Sequence, residues 1–205
     1  MEVKQIFEER RSVNFFDTTK PLDDNMLKDI INLAVLAPSA FNLQPWEIIA
    51  VQSDSAKDKL LKQSNNQPKI SEAPVTLIII GDKNGFSETN PEWKSLELLL
   101  GGNSDMVKGY QEFAKLLYGS TEERKIKFAE SNASLLAMSI MYVAKSFGVD
   151  SHPLSGIDFD GIANEFEIGD DKSVVMLISL GYFDTSKELY PRRTRKDFNK
   201  IVKIV

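Results

Sequence analysis

The feature that most constrains the fold of this chain is the segment Ala133–Phe147, which is apolar nearly all round a helix. Ser120 and Glu123 have capping-box spacing, and they predict the start of a long helix that ends near Gly148. A helix that is apolar on every side is buried, not surface-lying. The chain has only 205 residues, so we expect a second subunit to cover part of this helix.

Hydrophobic periodicity predicts the other elements. The predicted strands are Trp46–Val51, Val75–Ile80 and Val174–Leu180, and the apolar and basic tail 198–205 is expected to be an edge strand. The other predicted helices are residues 2–10, a helix from Asp23 or Asp24 to just before Pro38, Ser55–Gln63 and Asp105–Leu117. This order predicts an α+β fold, a small mixed β-sheet flanked by helices, in a single domain of residues 1–205.

Composition excludes several classes of function. Lys and Arg number 25 against 30 Asp and Glu, a net charge of −5 that argues against a nucleic-acid partner. The chain has no cysteine and one histidine, His152, which argues against disulfides, thiol nucleophiles, zinc sites and His-dependent triads. No Gly-x-Gly-x-x-Gly follows a predicted strand. No run has signal-peptide or membrane-span length, so we expect a cytoplasmic protein without a membrane partner.

Two cationic clusters lie at opposite ends of the sequence. Arg10-Arg11-Ser12 ends the first helix, and Arg192-Arg193-Thr194-Arg195 follows the last strand. Guanidinium groups with a neighbouring hydroxyl suit a phosphate, which they bind through several charge-assisted hydrogen bonds. For either cluster taken alone, solvated surface charge is the simpler interpretation.

The loop Ala37–Trp46 joins a helix to a strand and places Ser, Asn and Gln between two prolines. Prolines reduce the entropy lost on ordering a loop, and amide side chains both donate and accept. Such a loop suits a planar heterocycle with alternating carbonyls and ring nitrogens. The alternative is a proline-stiffened turn ahead of a core strand that begins at Trp46.

These motifs together resemble the FMN-dependent nitroreductase family. Arg10-Arg11-Ser12-Val13 followed by Ala37–Trp46 is similar to the Arg-x-Ser motif and Pro-Ser-x-x-Asn-x-Gln-Pro-Trp loop that open the family's sequences. Asn66 and Lys69 precede an Ala-Pro pair and an apolar strand, as the family's flavin contacts do. Residues 153–158 resemble its Pro-x-x-Gly-Phe-Asp turn, and Arg193 and Arg195 its late basic pair. The resemblance covers the chain and is loosest across residues 82–120.

The resemblance implies an intertwined homodimer with FMN at the interface and NAD(P)H as co-substrate. The implied phosphate ligands are Arg10, Ser12, Arg193 and Arg195, with Arg11 in second rank, and the implied contacts from the partner subunit are Pro38, Ser39 and Asn42. Asn66 would bond the pyrimidine edge, and Lys69 would lie beside flavin N1 and O2. The backbone N–H of Gly156 would face N5, on a turn that also contains Pro153, Leu154 and Ser155.

Two positions depart from the family pattern. Asn14 stands where many relatives have Arg or Lys, and Ser155 replaces an acidic residue found in some members, which leaves the redox potential and substrate preference open. The expected reaction is ping-pong hydride transfer to a small-molecule acceptor, a nitroaromatic, quinone or enone. The alternatives are a flavin-fragmenting synthase or dehalogenase on the same fold, and a non-catalytic flavin-binding protein.

Overall fold

A computed structural model describes residues 2–205 and contains one four-stranded sheet. The strands are β1 (Trp46–Val51), β2 (Val75–Asp82), β3 (Asp150–Leu154) and β4 (Lys172–Gly181), in the order β1-β2-β4-β3. The three pairings are antiparallel, and a parallel bridge joins Ser12 to Ser151 beside the sheet. The predicted α+β class is confirmed.

Helices cover both faces of the sheet. They are α1 (Val3–Glu9), α2 (Asp24–Ala34), α3 (Asp54–Lys62), α4 (Lys69–Glu72), α5 (Glu92–Leu99), α6 (Ser104–Tyr118), α7 (Glu122–Ser146), α8 (Phe159–Glu165) and α9 (Phe198–Ile201), with a short 3₁₀ turn at Ala40–Asn42. Asp23 caps α2 by accepting from the N–H groups of Asn25 and Met26. No helix within residues 2–205 is both long and apolar enough to cross a membrane.

Helix α7 is the centre of the fold. Its N-cap is Thr121, whose side chain accepts from the Arg124 N–H, so the helix begins one residue later than the predicted Ser120 cap. One face is fully buried against β2 and β4, and it includes Ala133, Leu136, Ala137, Ile140 and Ala144. The side chains of Leu135 and Met138 on another face are 47% and 42% exposed. Within this chain, α7 is therefore buried only in part, whereas the sequence predicted burial on all sides.

Strand β2 lies between two apolar layers because its side chains alternate across the sheet. Leu77 and Ile79 pack in the cluster that contains α7, while Ile78 and Ile80 pack in the cluster that contains Leu60 of α3, Ile70 of α4 and Ile162 of α8. A third cluster holds α5 and α6 to the sheet and includes Leu43, Phe86, Trp93, Val107, Ala114 and Phe128.

Two sequence-based predictions differ from the structure. Pro153 and Leu154, expected at the start of a turn, are the last residues of β3, which pairs with β4 and was not predicted because Pro within a short run argues against a strand. The tail 198–205 was expected to be an edge strand, but Phe198–Ile201 form one helical turn and the residues after it are exposed.

Candidate functional site

The structure brings the two cationic clusters together. Arg192 donates to the backbone carbonyls of Glu8 at 2.5 Å and Arg10 at 3.2 Å, and Arg11 donates to the carbonyl of Tyr190. These contacts join sequence positions more than 170 residues apart. The guanidinium groups of Arg193 and Arg195 are on the exposed part of the same tail, where Arg195 donates to the Arg193 carbonyl at 2.7 Å.

Arg10 is a half-buried residue whose guanidinium group has donors without a partner. Its Nε and Nη1 atoms are buried and have no hydrogen-bond partner among residues 2–205. Its guanidinium carbon lies 5.8 Å from the centroid of the Tyr142 ring, which is close enough for a cation–π contact. Buried donors are nearly always paired in native proteins, and a charged donor is the costliest to leave unpaired. These atoms therefore point to an anionic partner from outside the chain.

The segment after Arg11 runs beside β3. Ser12 forms a parallel bridge with Ser151, and the Val13 N–H donates to the Ser151 carbonyl at 3.2 Å. Val13 is buried, Asn14 is half-buried and Ser12 is exposed. His152 completes the attachment, since its Nδ1 lies 2.7 Å from the Val13 carbonyl oxygen and donates to it in the neutral tautomer.

The environment of His152 keeps the imidazole neutral. Burial lowers its pKa to about 4, against the opposing effect of the hydrogen bond to Val13, and the positive charge of Lys69 lowers it further. The ring therefore serves as a fixed donor, not as an acid near neutral pH. Lys69 itself is half-buried at the start of α4.

A polar turn, residues 63–67, contacts the loop that follows β3. Asn65 Nδ2 and Gln67 Nε2 both donate to the Gly156 carbonyl oxygen, at 2.9 and 3.0 Å. The Asp158 N–H donates to the Gln63 carbonyl at 2.7 Å. Asn66, on the same turn, is exposed beside them. The turn thus brings the predicted ring contacts Asn66, Lys69 and Gly156 into one region.

The loop Ala37–Trp46, which contains the two prolines, has a strained backbone. Phe41, Asn42 and Gln44 have positive φ angles of 52°, 56° and 48°, which are uncommon outside glycine. Ser39 Oγ accepts from the Gln44 N–H at 2.9 Å, and buried Asn132 of α7 accepts from the Ala40 N–H at 2.9 Å. Strain of this kind persists where surrounding contacts enforce it, and it concentrates at functional sites.

Phe41 connects this loop to α5 and α6. Its ring lies 5.7 Å from that of Trp93, 6.0 Å from Tyr110 and 6.5 Å from Tyr118, measured between centroids. A cavity of about 420 Å³ opens between the loop, α6 and α7, with Ala40 and Arg124 in its lining. Pro38 and Asn42 are exposed at the loop surface.

The predicted site residues thus form two groups within one chain. Arg10–Asn14 and residues 153–156 lie along β3, the turn that carries Asn66 contacts Gly156, and Lys69 begins the helix after this turn. Arg192 contacts the first of these segments, whereas no hydrogen bond in the part of the chain that the structure describes joins Arg193 or Arg195 to it. Among residues 2–205, no hydrogen bond or salt bridge links Pro38–Asn42 to that group. Sequence reasoning missed Asn65, Gln67 and Asn132, and of these only the Asn65–Asn66 pair carries a local signal, because asparagine tolerates positive φ.

Comparisons with known proteins give one family and one fold. A sequence model of the Nitroreductase family matches residues 7–182. MhqN of Bacillus subtilis, named as an NAD(P)H nitroreductase, is 31% identical over 202 residues, 98% of each chain. The crystal structure of YdfN of Bacillus subtilis, named as a nitroreductase, has a TM-score of 0.91 at 30% identity over 98% of each chain. A nitroreductase-type structure from Exiguobacterium sibiricum in complex with FMN has a TM-score of 0.86 at 24% identity, covering 100% of this chain and 98% of that one.

Proposed function

This chain belongs to the nitroreductase family of oxidoreductases, and on that premise we propose that it is an FMN-dependent NAD(P)H oxidoreductase. Its acceptor is a small molecule of the nitroaromatic, quinone or enone type. The observation that carries the proposal is the guanidinium of Arg10, two of whose donors are buried and have no partner among residues 2–205.

Residues around Arg10 fit a phosphate monoester. Two buried donor nitrogens of Arg10 lie near the end of α1, where Arg11 and the exposed Ser12 follow in sequence and Arg192 of the tail donates to the Arg10 carbonyl. A dianionic phosphate supplies acceptor oxygens for these donors, and charge-assisted bonds of this kind are about twice as strong as neutral ones. FMN carries such a group and riboflavin does not, which favours FMN as the cofactor.

The position of Gly156 leaves room for a ligand to approach the backbone. A Cβ atom built on this glycine would meet only Gln67 Nε2, at 3.8 Å, and the glycine has no positive φ. Neither packing nor backbone conformation within the chain therefore requires glycine here. Close approach of a ligand to the backbone does require it. Asn66 and Lys69 stand on the neighbouring turn and helix, where an amide and a cation suit the carbonyls of a pyrimidine edge.

When bound, FMN would supply the two-electron chemistry for ping-pong hydride transfer between NAD(P)H and the acceptor. The chain binds and orients the ring and tunes its electrostatics. Lys69 contributes positive charge near the pyrimidine edge, where it stabilises negative charge. His152 holds the Val13 carbonyl and stays neutral, so it fixes the phosphate segment and releases no proton near pH 7.

We further propose that the protein works as an intertwined homodimer. Apolar side chains remain exposed on α7 (Leu135, Met138), on α1 (Val3, Phe7) and on the tail (Phe198, Ile201). Exposed apolar area of this extent is typical of a subunit interface. A partner subunit also accounts for the separate loop Pro38–Asn42, which then reaches the other chain's FMN.

The absorption spectrum of the purified protein, before and after anaerobic NADPH, tests the function. We expect a yellow protein that releases FMN, not FAD, on denaturation. Anaerobic NADPH should bleach the bound flavin in no more time than one catalytic turnover takes. Colourless protein that takes up no FMN contradicts the proposal. Loss of the flavin itself under air would favour a fragmenting synthase, and slow bleaching by either nicotinamide would favour a non-catalytic flavin protein.

Sedimentation tests the assembly. A stable monomer of native fold with FMN bound contradicts the dimer, since an interface of this type should exceed the roughly 1,600 Å² of a standard complex.

A further inference from the structure

The turn 63–67 has an unusual backbone. Asn65 and Asn66 both have positive φ, 51° and 50°. Two successive left-handed residues cost energy outside glycine, and asparagine is among the residues that tolerate this conformation best. The Asn66 N–H donates to the Leu61 carbonyl and the Gln67 N–H to the Ser64 carbonyl, both at 3.1 Å, so the turn is fixed to the end of α3.

This conformation aims two amide side chains at one carbonyl oxygen. Asn65 Nδ2 and Gln67 Nε2 lie 2.9 and 3.0 Å from the Gly156 oxygen. A carbonyl has two lone pairs, so the two amides saturate this acceptor. The Gly156 N–H, by contrast, donates to no acceptor in the part of the chain from residue 2 to 205. One side of the glycine is fully engaged and the other is free.

We propose that Asn65 and Gln67 are positioning residues that fix the Gly156 backbone so that its N–H points at the hydride-accepting face of the FMN site. The inference rests on the proposed function. Glycine has more backbone freedom than any other residue, so its N–H is oriented only if neighbouring contacts restrict it. Three hydrogen bonds restrict the loop at two points, two of them at the Gly156 oxygen and one at the Asp158 N–H.

The same turn also carries Asn66, and Lys69 follows it in α4. The turn therefore connects Asn66 and Lys69, assigned to the pyrimidine edge, with Gly156, assigned to N5. The hydrogen bonds from the turn to Gly156 set the distance between these two groups of residues. A reacting group held this way needs no rearrangement when substrate arrives, and small misplacements of such groups have large effects on rate. Asn65 and Gln67 act through Gly156 and touch no reacting atom.

Two variants test the proposal. Gln67→Met keeps the length of the side chain and removes its donor, and Asn65→Gly removes the other donor while it keeps the positive φ. Gln52→Met is the matched control, because Gln52 donates to Asp24 at 3.0 Å in a different region. In the full chain without FMN, we expect hydrogen exchange of the Asp158 N–H, the hydrogen-bonded amide of this loop, to be roughly 2- to 12-fold faster in each variant, the factor for one neutral hydrogen bond. The control is expected to match wild type.

In the FMN-loaded protein, we expect the single-turnover rate of hydride transfer from NADPH to fall by a similar factor in both variants, with unchanged affinity for NADPH and FMN. Unchanged exchange together with an unchanged transfer rate overturns the positioning role. Equal loss in the Gln52→Met control also overturns it. A wild-type protein that takes up no FMN overturns the proposed function, and this inference with it; the exchange arm needs no cofactor and reports on the contact alone.

Discussion

Replacement of Arg10 by methionine distinguishes two roles for this residue, binding of a phosphate and stabilisation of the fold. Methionine keeps much of the apolar stem and removes the guanidinium, whose Nε and Nη1 are buried without partners. Each unsatisfied donor costs about 1–3 kcal/mol, while the cation–π contact with Tyr142 contributes about 0.5–2 kcal/mol. Without ligand, we therefore expect Arg10→Met to be as stable as wild type or more stable, which is unusual for loss of a partly buried charge.

With ligand, the expected effect has the opposite sign. A charge-assisted hydrogen bond contributes about 1.5–3 kcal/mol, so the loss of even one bond to the phosphate weakens FMN binding roughly 10- to 150-fold. Riboflavin lacks the phosphate, and we expect its dissociation constant to change less than about threefold. The preference for FMN over riboflavin should therefore collapse in this variant.

Calorimetric titration of the flavin-free protein with FMN and with riboflavin measures the two affinities, and denaturant unfolding measures the stability. Lys172→Met is the matched control, because Lys172 is a half-buried cation at the start of β4 whose Nζ donates to Glu47 Oε2 at 2.7 Å, away from the proposed site residues. Equal losses of affinity for FMN and riboflavin would refute the phosphate role. A ligand-free variant several kcal/mol less stable than wild type would refute the claim that these donors are unsatisfied.

Three further predictions concern the ring and the sheet edge. Lys69→Met should lower the midpoint potential of the bound flavin by roughly 20–65 mV, equivalent to about 1–3 kcal/mol. An unchanged potential in spectroelectrochemistry would show that Lys69 does not lie beside the flavin ring. Gly156→Ala should leave the flavin-free melting temperature nearly unchanged, because a Cβ there meets only one atom at 3.8 Å, yet weaken FMN binding in the same titration. Burial lowers the His152 pKa to about 4, so between pH 6.5 and 4 the unfolded chain binds a proton that the native chain does not. As the pH is lowered through this range, the free energy of unfolding should fall by at most about 3.4 kcal/mol, and by less because the ring is partly exposed. Unfolding free energies of wild type and His152→Gln that fall in parallel over this range would contradict the shift.

Much of the fold follows from local patterns. The start of α2 at Asp23 and the strands β1, β2 and β4 follow from capping chemistry and β-branched runs, which depend on near neighbours in sequence. Strand β3 does not, because it is short, contains Pro153 and pairs only through β4. Tertiary pairing there overrides a local signal that favours a turn.

The candidate site divides in the same way. Arg10 and Lys69 were identifiable because their neighbours form motifs. The docking of Arg192 on Glu8 and Arg10, and the two amides on Gly156, depend on segments far apart in sequence. No spacing rule predicts such contacts, since an amide is ordinary in composition and becomes specific only through the backbone conformation that aims it.

The position of β2 also has a consequence for synthesis of the chain. β2 needs β4 on one side, and β4 ends at Gly181. At roughly 5–20 residues per second, the roughly 100 residues between Asp82 and Gly181 take on the order of 5–20 s to emerge from a ribosome. During that interval the run Val75–Ile80, which is apolar but for Thr76 and has no charge, has an open edge and is therefore prone to aggregate. Its two buried faces leave no position for a charged residue that would prevent this, so slower growth at low temperature or a chaperone that covers apolar strands should raise the yield of folded protein.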